Sequence, residues 1–131
     1  MLLSRPSTLL LTTLLCTAPA AWGEQVLTAD EIEFLISDKT TACLKEKDQS
    51  TCTTYFAPDG IIKRRMHDDD ARKNGRWFID DTDRLCILWD GKIKPLCLII
   101  TRNEDGTYAL TKKEKHVSSI LELSDGNTEG L

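Results

Sequence analysis

Two apolar runs, LCILW (residues 85–89) and LCLII (96–100), stand either side of Asp90-Gly91, and each carries a cysteine at its second position. Short runs of β-formers around a glycine that accepts positive φ predict a hairpin. A turn centred on Gly91-Lys92 sets Cys86 opposite Cys97, Ile87 opposite Leu96 and Leu88 opposite Pro95. Directly opposed Cβ atoms lie about 4.5–5.5 Å apart, close to cystine geometry. Pro95 has no ladder donor, so it belongs at the turn or with its nitrogen facing away from the partner strand. Both faces are apolar: Leu85, Ile87 and Trp89 point one way, Cys86 and Leu88 the other. One face must then fill a core, and the other needs a cover, which a helix, a ligand or a partner could supply, a helix of the same chain being the expected one.

The N-terminus reads as an address. Residues 1–23 hold one charge, Arg5, then an apolar run from Leu9 to Cys16, then small residues ending Ala21-Trp22-Gly23. That order predicts a secretory signal cleaved between Gly23 and Glu24. The run is shorter than the ~20 residues a bilayer-spanning helix needs. Leu15 precedes Cys16 where a lipoprotein signal has a small residue, which argues against lipidation. Cleavage leaves 108 of the 131 residues, a length for one domain. It also removes Arg5, so 16 basic side chains face 21 acidic ones, a net charge of −5. Nothing in that balance favours nucleic acid, whose binders carry a basic face. No second stretch is apolar enough to be transmembrane.

Four cysteines remain, Cys43, Cys52, Cys86 and Cys97. An even number in a small exported chain reads as a disulfide framework. Three pairings are open on sequence. Cys43–Cys52 and Cys86–Cys97 are expected because each pair brackets a short turn-like segment. Loops of this size stabilise a fold by about 2–4 kcal/mol. The spacings C-x8-C and C-x10-C are unlike the short spacing of zinc sites, so no metal is expected.

Along the chain, Thr28 with Glu31 three residues on forms a capping box, and Leu27 can staple to Ile32. Ile32, Leu35 and Ile36 share one stripe of the resulting helix, the candidate cover for the hairpin. Asp38-Lys39 should end it. Strands are expected at 40–44, 53–57, 61–66, 75–80, 84–89, 96–101 and 108–112. A last strand should turn Val117, Leu121 and Leu123 to one face. Residues 67–74 read as a charged connector and 125–131 as a frayed tail. Turn signals recur every ~8–12 residues, which predicts an antiparallel meander. The expected fold is mainly β: a meander, small up-and-down barrel or curved sheet of seven to eight strands with a short N-terminal helix. Closure or curvature disposes of the sheet edges.

Candidate chemistry is sparse. His67 beside Asp68-Asp69-Asp70 offers metal-ligand types, but adjacent residues rarely aim at one point. Residues 80–83 lack the glycine and terminal glutamate of a calcium loop. Ser118 and Ser119 follow His116 without a nucleophile elbow. No catalytic set and no cofactor are expected. Trp77, Trp89 and Tyr108 could line a ligand cup, since a small barrel can hold one small molecule; the alternative is that they fill the core. Lys63, Arg64, Arg65 and Arg76, with Arg72 and Lys73 nearby, form a basic zone in an acidic protein, suited to an anionic lipid, glycan or acidic partner.

The mature chain also resembles a family of small secreted proteobacterial proteins catalogued as a domain of unknown function. The residues that carry this are Leu27-Thr28-Ala29-Asp30-Glu31-Ile32, Tyr55-Phe56-Ala57-Pro58-Asp59-Gly60, Gly75-Arg76-Trp77, Leu85-Cys86-Ile87-Leu88-Trp89 with Cys97, and Asp105-Gly106-Thr107-Tyr108. The resemblance implies a periplasmic or secreted β-rich protein with its central cysteines in a hairpin, and brings no catalytic residues. Gly75-Arg76-Trp77 is similar to the Gly-x-Trp of lipocalins, but lies mid-chain rather than near the start. The expectation is an exported, non-enzymatic binding protein of the bacterial envelope that engages an envelope protein. The alternative is a lipocalin-like carrier of a small apolar ligand. An open cup at Trp77 and Trp89 favours the carrier; a filled core there favours the interaction protein.

Overall fold

The computed structural model describes residues 24–131; the predicted signal segment and its cleavage site lie outside the described residues. Nine strands and one helix follow in the order β1 (Gln25–Val26), α1 (Ala29–Ile36), β2 (Lys39–Lys45), β3 (Thr51–Phe56), β4 (Ile61–Met66), β5 (Arg72–Ile79), β6 (Leu85–Trp89), β7 (Leu96–Arg102), β8 (Tyr108–Lys112) and β9 (Lys115–Asp125). Each strand from β2 to β9 pairs antiparallel with its neighbour in sequence, and β9 pairs back onto β2. The result is a closed eight-stranded up-and-down barrel, one of the forms the expected meander could take, with β1 as an extra strand. β6 pairs with β7 only as far as Leu98, and β1 takes the same edge at Thr101 and Arg102. Leu27 then donates to the Ile100 carbonyl at 2.9 Å and leads the chain into α1.

The central hairpin has the predicted register at Cys86 with Cys97 and Ile87 with Leu96, but the ladder ends there: Leu88 has no partner in Pro95, and the turn closes from the Lys92 amide to the Trp89 carbonyl at 3.0 Å, around Asp90-Gly91. Cys43 faces Cys52 in the same way across β2 and β3. Both pairs are disulfides. Cystines at in-register positions add their constraint without displacing the ladder. No helix among the described residues is long and apolar enough to cross a membrane.

The helix has the predicted cap. The Thr28 hydroxyl accepts from the Glu31 amide at 3.3 Å, and Glu31 accepts from the Thr28 amide at 3.0 Å. Its role differs from expectation. Instead of lying over the outer face of the β6–β7 hairpin, α1 plugs one end of the barrel. Leu27, Ile32 and Ile36 enter the same core as Phe56, Ile62, Trp77, Leu85, Ile100 and Tyr108. The outer face of the hairpin is covered locally: Cys86 is buried beside the Asp80 carboxylate, 3.7 Å from Sγ.

Three other expectations are corrected. The charged connector is shorter, because β5 begins at Arg72, where Arg72 and Lys73 pair with Arg65 and Arg64. The last strand does not keep one face: register shifts opposite Ala42/Cys43 and Leu110/Thr111 break its alternation. Ile120 is buried in the core and Leu121 is 40% exposed. A bulge inserts one residue and exchanges the faces beyond it. The tail is also pinned: Gly126 donates to the Asp38 carbonyl at 2.7 Å and the Thr128 amide donates to the Thr40 hydroxyl at 3.1 Å.

Gly75 is demanded by close approach. A Cβ built there would lie 2.5 Å from the Leu88 carbonyl oxygen and 2.9 Å from the Trp89 Cα, both backbone atoms. Gly75→Ala is therefore expected to destabilise the barrel by about 2–3 kcal/mol, more than the ~0.4–1 kcal/mol that alanine gains through the unfolded chain. Urea or thermal unfolding of the oxidised protein measures it; an unchanged midpoint contradicts the clash.

Candidate functional site

Strand alternation decides what faces the lumen. Inward residues run, from the helix end to the open end, Ile62-Arg64 on β4, Trp77-Gly75-Lys73 on β5, Leu85-Ile87-Trp89 on β6, Ile100-Leu98-Leu96 on β7, and Cys43-Lys45 on β2. Eight strands enclose a space that side chains can fill or that can hold one small ligand. Here the two halves differ. The helix half is filled with aliphatic and aromatic side chains. The open half changes to cations around one indole.

The cavity in that half has a volume of about 230 Å³. Lys45, Arg64, Lys73 and Trp89 line it with Leu96, Leu98, Leu110, Val117 and Ser118. No carboxylate is among these residues, and none of the three cations makes an ion pair among the described residues. The Arg64 guanidinium stands over the Trp89 ring at 4.6 Å, and the Lys73 ammonium at 5.5 Å. Arg64 Nε donates to the Thr54 hydroxyl at 3.3 Å. Burial lowers the Arg64 pKa to about 10. Lys73 is exposed at the mouth, and its pKa is also lowered, by desolvation first and then by Arg64, Lys45 and Lys92. These charges repel one another across an apolar floor.

A second, wider hollow of about 480 Å³ continues from the cavity at Leu96 and Val117, residues common to both. Glu46, Lys47, Lys112, Lys115 and His116 complete its wall. The two spaces together reach the range of small-molecule sites, about 300–1,000 Å³.

The residues singled out in the sequence are divided by this geometry. Trp77 is a core residue: it packs edge-on to Phe56, with centroids 5.8 Å apart, and its indole donates to the Ala57 carbonyl at 2.9 Å. Tyr108 is buried in the same cluster, with the Arg102 guanidinium 5.7 Å from its ring. Only Trp89 of the three aromatics lines the cavity. The basic zone splits the same way. Arg64 and Lys73 face the lumen, while Lys63, Arg65, Arg72 and Arg76 face outward. Arg65 lies 3.4 Å from both Asp70 and Glu129. Lys45 and Leu110 were not singled out in the sequence, and Ser118 was weighed only as a nucleophile beside His116. Their signal is phase: Lys45 is two residues beyond Cys43, as Arg64 is two beyond Ile62.

Among the described residues, the remaining polar clusters hold no open site. Both ring nitrogens of His67 meet hydroxyls, Thr51 at 2.9 Å and Thr53 at 2.7 Å. Asp80, Cys86 and Cys97 converge, but the two sulfurs are spent in a cystine and Asp80 is bound by Arg84 at 2.7 Å. His116 Nε2 lies 2.9 Å from the Ser119 hydroxyl and 3.6 Å from Glu46. Hydroxyl and carboxylate thus share one nitrogen, whereas a triad needs the carboxylate on the other to orient the base.

No known protein family, curated protein or solved structure matches the chain.

The lowered Arg64 pKa corresponds to a cost on the order of 3 kcal/mol, present in full at pH 7 because the group is still charged well below pH 10. The Thr54 hydrogen bond and the Trp89 contact offset part of it, about 1–2 kcal/mol together. Arg64→Met keeps the volume and removes the charge. It is expected to stabilise the ligand-free protein by about 1 kcal/mol, a rise of roughly 4–8 °C in thermal midpoint. Calorimetry of the two proteins tests this; a lower midpoint for the methionine variant sinks it.

Proposed function

We propose that this chain is a non-catalytic binding protein of an oxidising extracytoplasmic compartment, and that its barrel mouth takes a small anion with an apolar part. The observation that carries this reading is Arg64 held over Trp89, with Lys45 and Lys73 beside it and no acidic partner. Buried charge is normally paired, because an unpaired ion loses its hydration with no compensation. A carboxylate, phosphate or sulfonate headgroup would provide that partner, and an arginine can meet it with two parallel hydrogen bonds. The two cystines fit the compartment, since disulfides persist where the medium is oxidising.

The ligand enters head first. Cations cluster in the lumen, and the apolar surface continues outward past Leu96 and Val117 into the wider hollow. The alkyl or aryl part therefore lies along that hollow, beneath the aliphatic stems of Lys112 and Lys115. This modifies the carrier expectation: the ligand is an amphiphile rather than a wholly apolar molecule. Core placement of Trp77 removes that aromatic from the cup, and Trp89 supplies the wall.

Isothermal titration with decanoate, decyl phosphate and decanol tests the reading. The two anions should bind, and the neutral alcohol should bind at least ~10-fold more weakly, since a hydrogen bond to a charged group is worth ~1.5–3 kcal/mol. Arg64→Gln should weaken both anions by ~10-fold or more, while Arg76→Gln on the outer face changes nothing. Equal affinity for decanol, no binding of either anion, or indifference to Arg64→Gln would overturn the proposal.

A further inference from the structure

The barrel is electrically lopsided. At the helix end the chain carries Asp38, Asp59, Asp80, Asp81, Asp83 and the pair Glu104-Asp105 in its connections, besides the acids of α1. At the mouth, lysines gather at two of the four turns, and a third carries one. The β6–β7 turn contributes Lys92 and Lys94, the β8–β9 turn Lys112, Lys113 and Lys115, and the β2–β3 turn Lys47. In the closed barrel these turns are consecutive, so they make one basic arc. The acids of the arc are Glu46, Asp48, Asp90 and Glu114. Six lysines stand against these four carboxylates, of which Glu46 lies 3.6 Å from His116 and Asp48 accepts from the Ser50 hydroxyl at 2.6 Å. The fourth mouth turn, with Asp68-Asp69-Asp70, lies on the other side of the rim.

At the tip of the β6–β7 turn stands Ile93, 95% exposed, the most exposed large apolar side chain among the described residues. It is flanked by Lys92 and Lys94 and held forward by Gly91, whose φ is +83°, and by Pro95. At that exposure nothing among the described residues packs on it.

We infer that the lysine arc and Ile93 dock the barrel mouth onto an anionic lipid surface, with Ile93 entering the headgroup region. A lone apolar tip ringed by lysines suits that partner. Protein interfaces of lasting affinity bury ~1,200–2,000 Å² with aromatic or arginine anchors at the centre, and this loop offers neither. A lipid surface needs only apolar insertion and the summed attraction of lysines within a Debye length. The acidic helix end would be repelled by the same surface, so the field alone turns the mouth toward the membrane although the mature chain is net negative. The docking surface shares Lys47, Lys112 and Lys115 with the wall of the wider hollow, whereas Ile93, Lys92 and Lys94 line neither that hollow nor the cavity and so separate docking from ligand binding.

The test is sedimentation of ligand-free, oxidised protein spanning residues 24–131 with vesicles of phosphatidylcholine alone or mixed with phosphatidylglycerol. Binding should appear only with the anionic lipid and fall ~10-fold or more when salt rises from about 0.1 to 0.5 M. Ile93→Ser and the double change Lys92→Gln with Lys94→Gln should each weaken it ~10-fold or more. Phe34→Ser, at an 85% exposed position on α1 at the opposite end, should bind like the wild type. Absence of binding to anionic vesicles overturns the inference, as does binding lost in Phe34→Ser and kept in Ile93→Ser. A dimer in sedimentation equilibrium that Ile93→Ser abolishes, without vesicle binding, assigns the loop to a second copy and overturns it too. Each of these failures leaves the anion site, read by titration in solution, untouched.

Discussion

Pairing of β9 with β2 is the contact on which everything else rests. Without it the chain is an open meander with two exposed edges and two faces. With it, every inward side chain shares one lumen with those of seven other strands, and unpaired edges disappear. The Cys43–Cys52 cystine joins β2 to its other neighbour, and the C-terminal segment returns to Asp38 and Thr40 at the start of β2. Closure is thus supported along the strand where the two ends of the chain meet. The bulges in β9 let a long last strand serve both β8 and β2 while keeping Ile120 in the core.

A lumen has two ends, and the chain treats them differently. One receives α1, whose Ile32 and Ile36 complete a core that would otherwise be wet. The other is left open and cationic. Apolar packing at the first end supports an unfavourable arrangement at the second: desolvation of Arg64 acts against folding, and the filled half of the barrel supplies the surplus that tolerates it. A charge kept at such a cost, facing an indole and two further cations, is the arrangement on which the proposed anion site rests.

Several local features are legible in the sequence alone. The capping box at Thr28, the register of Cys86 with Cys97 and the turn at Gly91 depend on contacts between residues close in sequence, where propensity and geometry act directly. The cavity is not legible in the same way. Arg64 and Arg65 are adjacent, and nothing in their chemistry distinguishes them; one faces Trp89 and the other faces Asp70 and Glu129. Only the phase of the strand separates them, and that phase is anchored by Ile62 packing into the core. Trp77 and Trp89 present the same difficulty: both are inward, but one sits below the boundary between filled and open lumen and the other at it.

The sequence by itself pointed to most of the elements, to the β class and to one favoured choice among three disulfide pairings, because each follows from neighbours within a turn or a hairpin, and its composition set the acidic balance. Tertiary structure decided where the helix goes, which cations face inward and which turns share a rim. Those are relations between residues brought together only when the barrel closes: α1 meets Phe56 and Trp77 inside it, and Lys45 joins Arg64 and Lys73 across it. Alternation fixes which face a side chain takes, but only closure gives that face an inside.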